Sequence, residues 1–133
     1  METFKGIAAV TRGGLVPAAI IARELDIRLV DTVCVASYQG KAQQDEIEVI
    51  KSTSDKAGKG WLIVDDLVDT GKTGRVVRQV LPDAHFATVY AKPAGKPLVD
   101  TYITEVSQDT WILFPWDAEI KFVDPLASRN ARV

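Results

Sequence analysis

The chain has 133 residues, 47% hydrophobic and 26% charged, the balance of one globular domain with one core. Its net charge of -2 gives no basic surplus for general nucleic-acid binding, and no apolar run approaches the roughly 18 residues of a membrane span. One cysteine, Cys34, rules out an internal disulfide and suits a reducing cytosol.

The opening "METFKGIAAV" has no apolar signal core followed by a small-residue cleavage site. "KGIAAV" reads as a short buried strand ending at Val10, and "TRGG" as a turn. "LVPAAIIAREL" has an apolar face at helical spacing, with Pro17 near its start, where proline is tolerated. "DTVCVAS" is a second strand, which makes Cys34 a buried strand residue rather than a nucleophile. Residues 38–60 are polar, with "EIEVI" their one strong alternation. Such an excursion in a small domain predicts a lid, a binding loop or disorder. "WLIV" is a third strand, "TGRVVRQVL" a helix closed by Pro82, and "HFATVYA" a fourth strand. His85, the sole histidine, stands at that strand's entrance, a poor place for a catalytic base. "KPAGKP" is a loop, "VDTYITEV" a fifth strand, "DTWILFPWD" aromatic-rich and irregular, and "IKFV" a last strand. No internal repeat is visible.

Strands alternating with helices predict a single α/β domain built on a mostly parallel sheet flanked by helices. Ligands of such sheets gather outside the carboxyl ends of the strands. "TRGG", "DDLVDTGKT" and "KPAGKP" all fall there.

"LIVDDLVDTGKT", residues 62–73, holds the densest chemistry. Thr70, Gly71, Lys72 and Thr73 make a glycine turn opening a helix, a place where backbone N–H groups attract an anion. It is not a P-loop: the glycine required five positions before Gly71 is Asp66. Taken alone, the turn could equally be an ordinary helix start capped by Asp69 or Thr70. Asp65 and Asp66, however, follow a buried strand directly. Ionised carboxylates only accept hydrogen bonds, so they suit vicinal sugar hydroxyls or a magnesium shell. An anion loop beside diol acceptors describes a phosphorylated sugar. Arg12, between Thr11 and the pair Gly13 and Gly14, offers a planar fork for a second phosphate group. Lys92 ends the fourth strand, where it can meet a carbonyl oxygen. Trp111, Phe114 and Trp116 lie close together, and one of them is expected to face a flat ligand.

These residues carry a family resemblance. "IVDDLVDTGKT" resembles the phosphoribosyl-pyrophosphate signature of the type I phosphoribosyltransferases. "AVTRGGLVPAAIIARELDIR", "DTVCVASY", "AKPAGKPLVDTYITEVSQDTWI" and "PWD" are similar to the bacterial xanthine-guanine branch of that family. The likeness covers nearly the whole chain. It implies transfer of phosphoribose from phosphoribosyl pyrophosphate to guanine or xanthine, with hypoxanthine weaker, using Mg²⁺. It places Asp69 through Thr73 on the 5′-phosphate, within a substrate run that starts at Asp65 and includes Leu67 and Val68. Asp65 and Asp66 serve the ribose hydroxyls, with Asp66 also in the metal shell. Arg12 and Gly13 hold pyrophosphate. Asp69 lies near purine N7 as candidate base, Lys92 meets the 6-oxo group, Trp111 stacks on the base, and the backbone of Ile112 and Leu113 meets its 2-position. Residues 108–133 form a hood over the purine.

The resemblance also implies a homo-oligomer, a tetramer, in the cytoplasm, with peripheral contact to the inner face of the bacterial inner membrane. Two departures stand out. Family members carry a further N-terminal helical segment before the stretch matching "FKGIAAV", so a short or truncated start is expected here. Family lids often carry an arginine that reaches pyrophosphate; residues 38–60 have none, leaving Lys41, Lys51 or Lys56 as substitutes without its bidentate fork. Two other readings use the same residues: a non-catalytic sensor of phosphoribosyl pyrophosphate, and a transferase for another base. The first usually needs a nucleic-acid-binding surface, which this acidic chain lacks. Against adenine stand Lys92 and Trp111.

Overall fold

A computed structural model describes residues 3–39, 45–116 and 127. Six strands form one sheet: β1 (Gly6–Thr11), β2 (Val30–Gln39), β3 (Asp45–Lys51), β4 (Trp61–Val68), β5 (His85–Ala91) and β6 (Thr101–Glu105). Their order is β3-β2-β1-β4-β5-β6, and every pairing is parallel except β2 with β3. Two helices, α1 (Leu15–Glu24) and α2 (Lys72–Val80), follow β1 and β4.

Strand periodicity decides which helix covers which face. Ile7 and Ala9 of β1, with Leu62 and Val64 of β4, pack against Ala18 and Ala22 of α1. The alternating set, Ala8, Val10, Trp61, Ile63 and Phe86, packs against Val77 of α2 and Leu81 beyond it. The apolar runs "GIAAV" and "WLIV" are thus buried on both faces, as parallel strands are. Pro17 falls in the first turn of α1 and is buried. The expected fold class holds, with a helix on each side of the sheet.

The strand expected at 61–64 runs on through Asp65 and Asp66 to Val68, because Leu67 and Val68 keep pairing with Tyr90 and Ala91 of β5. Part of the expected loop at 38–60 is strand: β3 takes residues 45–51, antiparallel to β2, with Gln39 opposite Asp45. The hairpin therefore opens toward the carboxyl ends of the parallel strands. Its connection, residues 40–44, including Lys41, lies outside the described residues, as do the strand expected at "IKFV" and most of the hood at 108–133.

Lys51 is not placed to assist there. Its Nζ bonds Asp31 Oδ1 at 2.8 Å and the Thr32 carbonyl at 2.9 Å, at the amino end of β2. That hydrogen bond, with others from the Ser54 and Thr32 N–H groups, lowers the Asp31 carboxyl to about 2. Cys34 lies in β2 and is half-buried, less enclosed than expected. His85 opens β5 at the amino end of the sheet; its Nε2 lies 2.7 Å from Thr101 Oγ1, and its ring leans on Phe4. Among the described residues, no helix is long and apolar enough to cross a membrane.

Candidate active site

The strand order reverses between β1 and β4, and the loops that follow these two strands turn toward opposite faces. A crevice at such a switch point is the usual ligand site of an open α/β sheet. The β1–α1 turn sits tightly on β4. Gly14 N–H donates to the Val10 carbonyl at 2.8 Å, and a β-carbon added at Gly13 would lie 2.5 Å from Asp66 Oδ2. Gly13 thereby brings the arginine turn and the Asp66 carboxylate together, with Arg12 exposed beside them.

Asp65 and Asp66 are neighbours on β4, and their carboxyl groups interact with each other. Asp66 N–H donates to Asp65 Oδ1 at 2.8 Å. Asp65 keeps some exposed surface, yet protein atoms enclose its carboxyl group, and that enclosure governs its solvation. Burial, and then the neighbouring Asp66 carboxylate, push it well above its ordinary value of 3.8. A carboxyl group raised in the folded state gives stability below its unfolded value and loses it as pH rises toward the folded one. Asp65→Asn keeps the acceptor for Asp66 N–H and removes the charge. It should therefore raise the melting temperature of the ligand-free protein at pH 7 and flatten its fall above pH ~4. Melting curves at pH 4 to 8 that match the unmutated protein would contradict this placement of charge.

Beyond Asp66 the chain forms the turn that starts α2. Gly71 is its N-cap with φ 91°, in the left-handed region, and no side chain caps the helix. Thr70 Oγ1 comes only within 3.5 Å of the Lys72 N–H. The side-chain cap that Asp69 or Thr70 would supply in an ordinary helix start is therefore not formed. Asp65 and the run from Leu67 through Gly74 line a cleft of about 120 Å³ at this turn. A larger cleft of about 420 Å³ lies at the opposite end of the sheet, around Trp61, His85 and Asp100. It holds none of the predicted site residues. The smaller cleft gathers Asp65, Asp69 and the Gly71 turn, while Arg12, Gly13, Asp66 and Lys92 are not part of its lining.

Lys92 follows β5 directly and is 7% exposed; its N–H bonds the Val68 carbonyl at 3.0 Å. Its Nζ lies 3.5 Å from Asp69 Oδ2. The predicted partner of a 6-oxo group and the predicted N7 acceptor are thus side by side. Of the three clustered aromatics, Phe114 is buried and stacks on Trp116 at 4.7 Å between centroids, whereas Trp111 is 75% exposed. Trp111 is the most exposed of the three rings. Ile112 and Leu113 follow in irregular backbone.

Sequence reasoning missed Gln108. Its Nε2 donates to Asp69 Oδ1 at 2.8 Å, and its Oε1 accepts from Ala94 N–H at 2.9 Å. Its place three residues before Trp111 was the one available signal.

Residues 3–122 match the family model described as "Phosphoribosyl transferase domain". The chain belongs to this family. It is 66% identical over 126 residues to the xanthine-guanine phosphoribosyltransferase of Nitratidesulfovibrio vulgaris, covering 95% of this chain and 77% of that one. To the protein of the same name from Desulfotalea psychrophila it is 64% identical, covering 98% and 81%. Among solved phosphoribosyltransferases, the purine phosphoribosyltransferase of Pyrococcus horikoshii superposes with a TM-score of 0.76 at 28% identity, covering 92% of this chain and 83% of that one. The family's mostly parallel sheet is therefore that of this chain.

Proposed function

We propose that this protein salvages purines by moving the 5-phosphoribosyl group of phosphoribosyl pyrophosphate to guanine or xanthine, with hypoxanthine weaker, giving GMP or XMP and pyrophosphate. One observation carries the base assignment: Lys92 Nζ and Asp69 Oδ2 stand 3.5 Å apart beside the phosphate turn. A 6-oxopurine presents O6 and N7 on one edge. The lysine donates to O6, and the carboxylate accepts the proton carried at N7. The names of the two bacterial relatives support the choice of base.

In this reading the turn from Asp69 to Thr73, flanked by Leu67 and Val68, holds the 5′-phosphate through backbone N–H groups at the start of α2. Asp65 and Asp66 accept from the ribose hydroxyls. Arg12 and Gly13 hold pyrophosphate as the C1–oxygen bond breaks and the purine nitrogen bonds to C1. Trp111 stacks on the purine, and the Ile112 and Leu113 backbone meets its 2-position.

Mg²⁺ belongs to the same proposal. Asp66 is a hard oxygen donor beside the arginine turn, and magnesium is commonly held by one or two carboxylates plus substrate phosphates. Among the described residues no cluster of three or more His, Cys, Asp or Glu could hold a metal, so substrate oxygens would complete the shell. When bound, the ion offsets charge on the leaving pyrophosphate. Homo-oligomerisation, with four copies by family likeness, has one observation in its favour. Exposed Ile20, Ile103 and Leu113 rim an apolar cleft of about 340 Å³. Cytoplasmic residence is part of the reading; nothing among the described residues supports membrane contact.

The test is a base panel with purified protein, phosphoribosyl pyrophosphate and Mg²⁺. Guanine should turn over efficiently, xanthine measurably, hypoxanthine more weakly and adenine essentially not at all. Adenine turnover comparable to that of guanine would overturn the roles of Lys92 and Asp69.

A further inference from the structure

Asp69 is half exposed, with 52% of its side chain open to solvent, and it begins a loop. Such a carboxylate has free rotation unless something holds it. Gln108 does. Its Nε2 lies 2.8 Å from Asp69 Oδ1 and 3.4 Å from the Asp69 carbonyl, while its Oε1 receives Ala94 N–H at 2.9 Å. The carboxamide is used in the one orientation that works: the NH₂ faces two acceptors, and the oxygen faces a donor. With Oδ1 occupied, Oδ2 is the oxygen turned toward Lys92, 3.5 Å away.

We propose that Gln108 is a positioning residue, which fixes the Asp69 carboxylate so that Oδ2 meets the purine edge beside Lys92. This rests on the reading of Asp69 and Lys92 given above. The amide also ties the β4–α2 turn to the loop after β5, through Ala94. Trp111 lies three residues further along the same segment. A base stacked on Trp111 therefore presses on the strand of chain that sets the Asp69 carboxylate, which makes base loading and carboxylate alignment one event. Only a side chain with both a donor and an acceptor at this reach can do so. Gln108→Met keeps the length and has neither group. Gln108→Glu keeps the shape, loses the donor and sets a second carboxylate against Asp69.

The unmutated protein is assayed first with guanine, phosphoribosyl pyrophosphate and Mg²⁺; no turnover there defeats the proposed function itself and not this inference alone. Given turnover, Gln108→Met should lower kcat by about 10- to 100-fold, a fraction of the usual worth of a positioned acid–base group, with the KM for phosphoribosyl pyrophosphate within about twofold. Gln108→Glu should move the acid limb of the pH–rate profile upward by about one pH unit, because two carboxylates in contact hold a shared proton to higher pH. Melting temperatures are recorded for both variants. If Gln108→Met is poorly folded, the pH profile of Gln108→Glu decides. An unchanged kcat in folded Gln108→Met, or an unmoved acid limb in Gln108→Glu, overturns the proposal.

Discussion

Gly14→Ala should melt roughly 10 °C below the unmutated protein, whereas Gly13→Ala should melt near it and fail to use phosphoribosyl pyrophosphate. The two glycines are neighbours in one turn, but an added methyl group meets different things. At Gly14 it would overlap the Val64 carbonyl oxygen and lie 2.8 Å from that of Val10. Both are backbone atoms of central strands and have nowhere to go. Overpacking of this kind costs about 3 kcal/mol or more. In a domain of this size that lowers the melting temperature by roughly 10 °C. At Gly13 the methyl group would meet the Asp66 carboxylate, with Oδ2 at 2.5 Å. A side chain can swing aside, so the fold survives. The carboxylate moves, though, and misplacement by about 1 Å can cost 100-fold in rate. Melting curves with kcat/KM for phosphoribosyl pyrophosphate separate the two outcomes. A stable, active Gly14→Ala would show that the turn does not lie against β4 as described.

Lys92→Met should lower kcat/KM for guanine by about 10- to 100-fold, the worth of one hydrogen bond to a charged donor. Methionine keeps the stem that packs here, so the change isolates the ammonium group. The KM for phosphoribosyl pyrophosphate should stay within a few-fold, since the sugar and phosphate groups are held on other loops. Discrimination against adenine should fall as well. Adenine offers an amino group at position 6, and two donors then face each other with no acceptor between them. A site built around such a bond rejects a mismatched analogue by about 10⁴-fold. If Lys92→Met discriminated against adenine as the unmutated protein does, another group would have to read position 6.

The parallel core was legible because both faces of β1 and β4 are buried, so their strands are continuous apolar runs. α2 and β5 were legible for a related reason, the sharp change of pattern at Gly71, Pro82 and His85. The end of β4 was hidden. Asp65 and Asp66 interrupt the apolar run, yet their backbone continues the ladder to β5, and side chains do not report that. β3 showed only as the short alternation in "EIEVI", and at the sheet edge, where Glu48, Val49 and Ile50 are all exposed, no buried face set it apart from a polar loop. Within the site, the residue types announced themselves: paired acids, glycine turns, a lysine closing a strand. Relations across long stretches of chain did not. Gln108 reaches Asp69 across 39 positions, and Lys51 is held by Asp31 across 20. Either polar side chain could equally have been solvated.

The sheet order has a consequence for how this protein can change. Everything proposed to grip sugar, phosphate and pyrophosphate lies at the carboxyl ends of β1 and β4, the two central strands, or just beyond them. Of the groups proposed to read the base, only Asp69 follows β4; Lys92, Trp111, Ile112 and Leu113 follow β5 and β6 toward one edge. Recognition of the common donor is thereby anchored where the sheet tolerates least alteration, and choice of acceptor is placed where it tolerates most. A lineage, or an engineer, can exchange the edge loops to accept a new base while the handling of the activated sugar passes on unaltered.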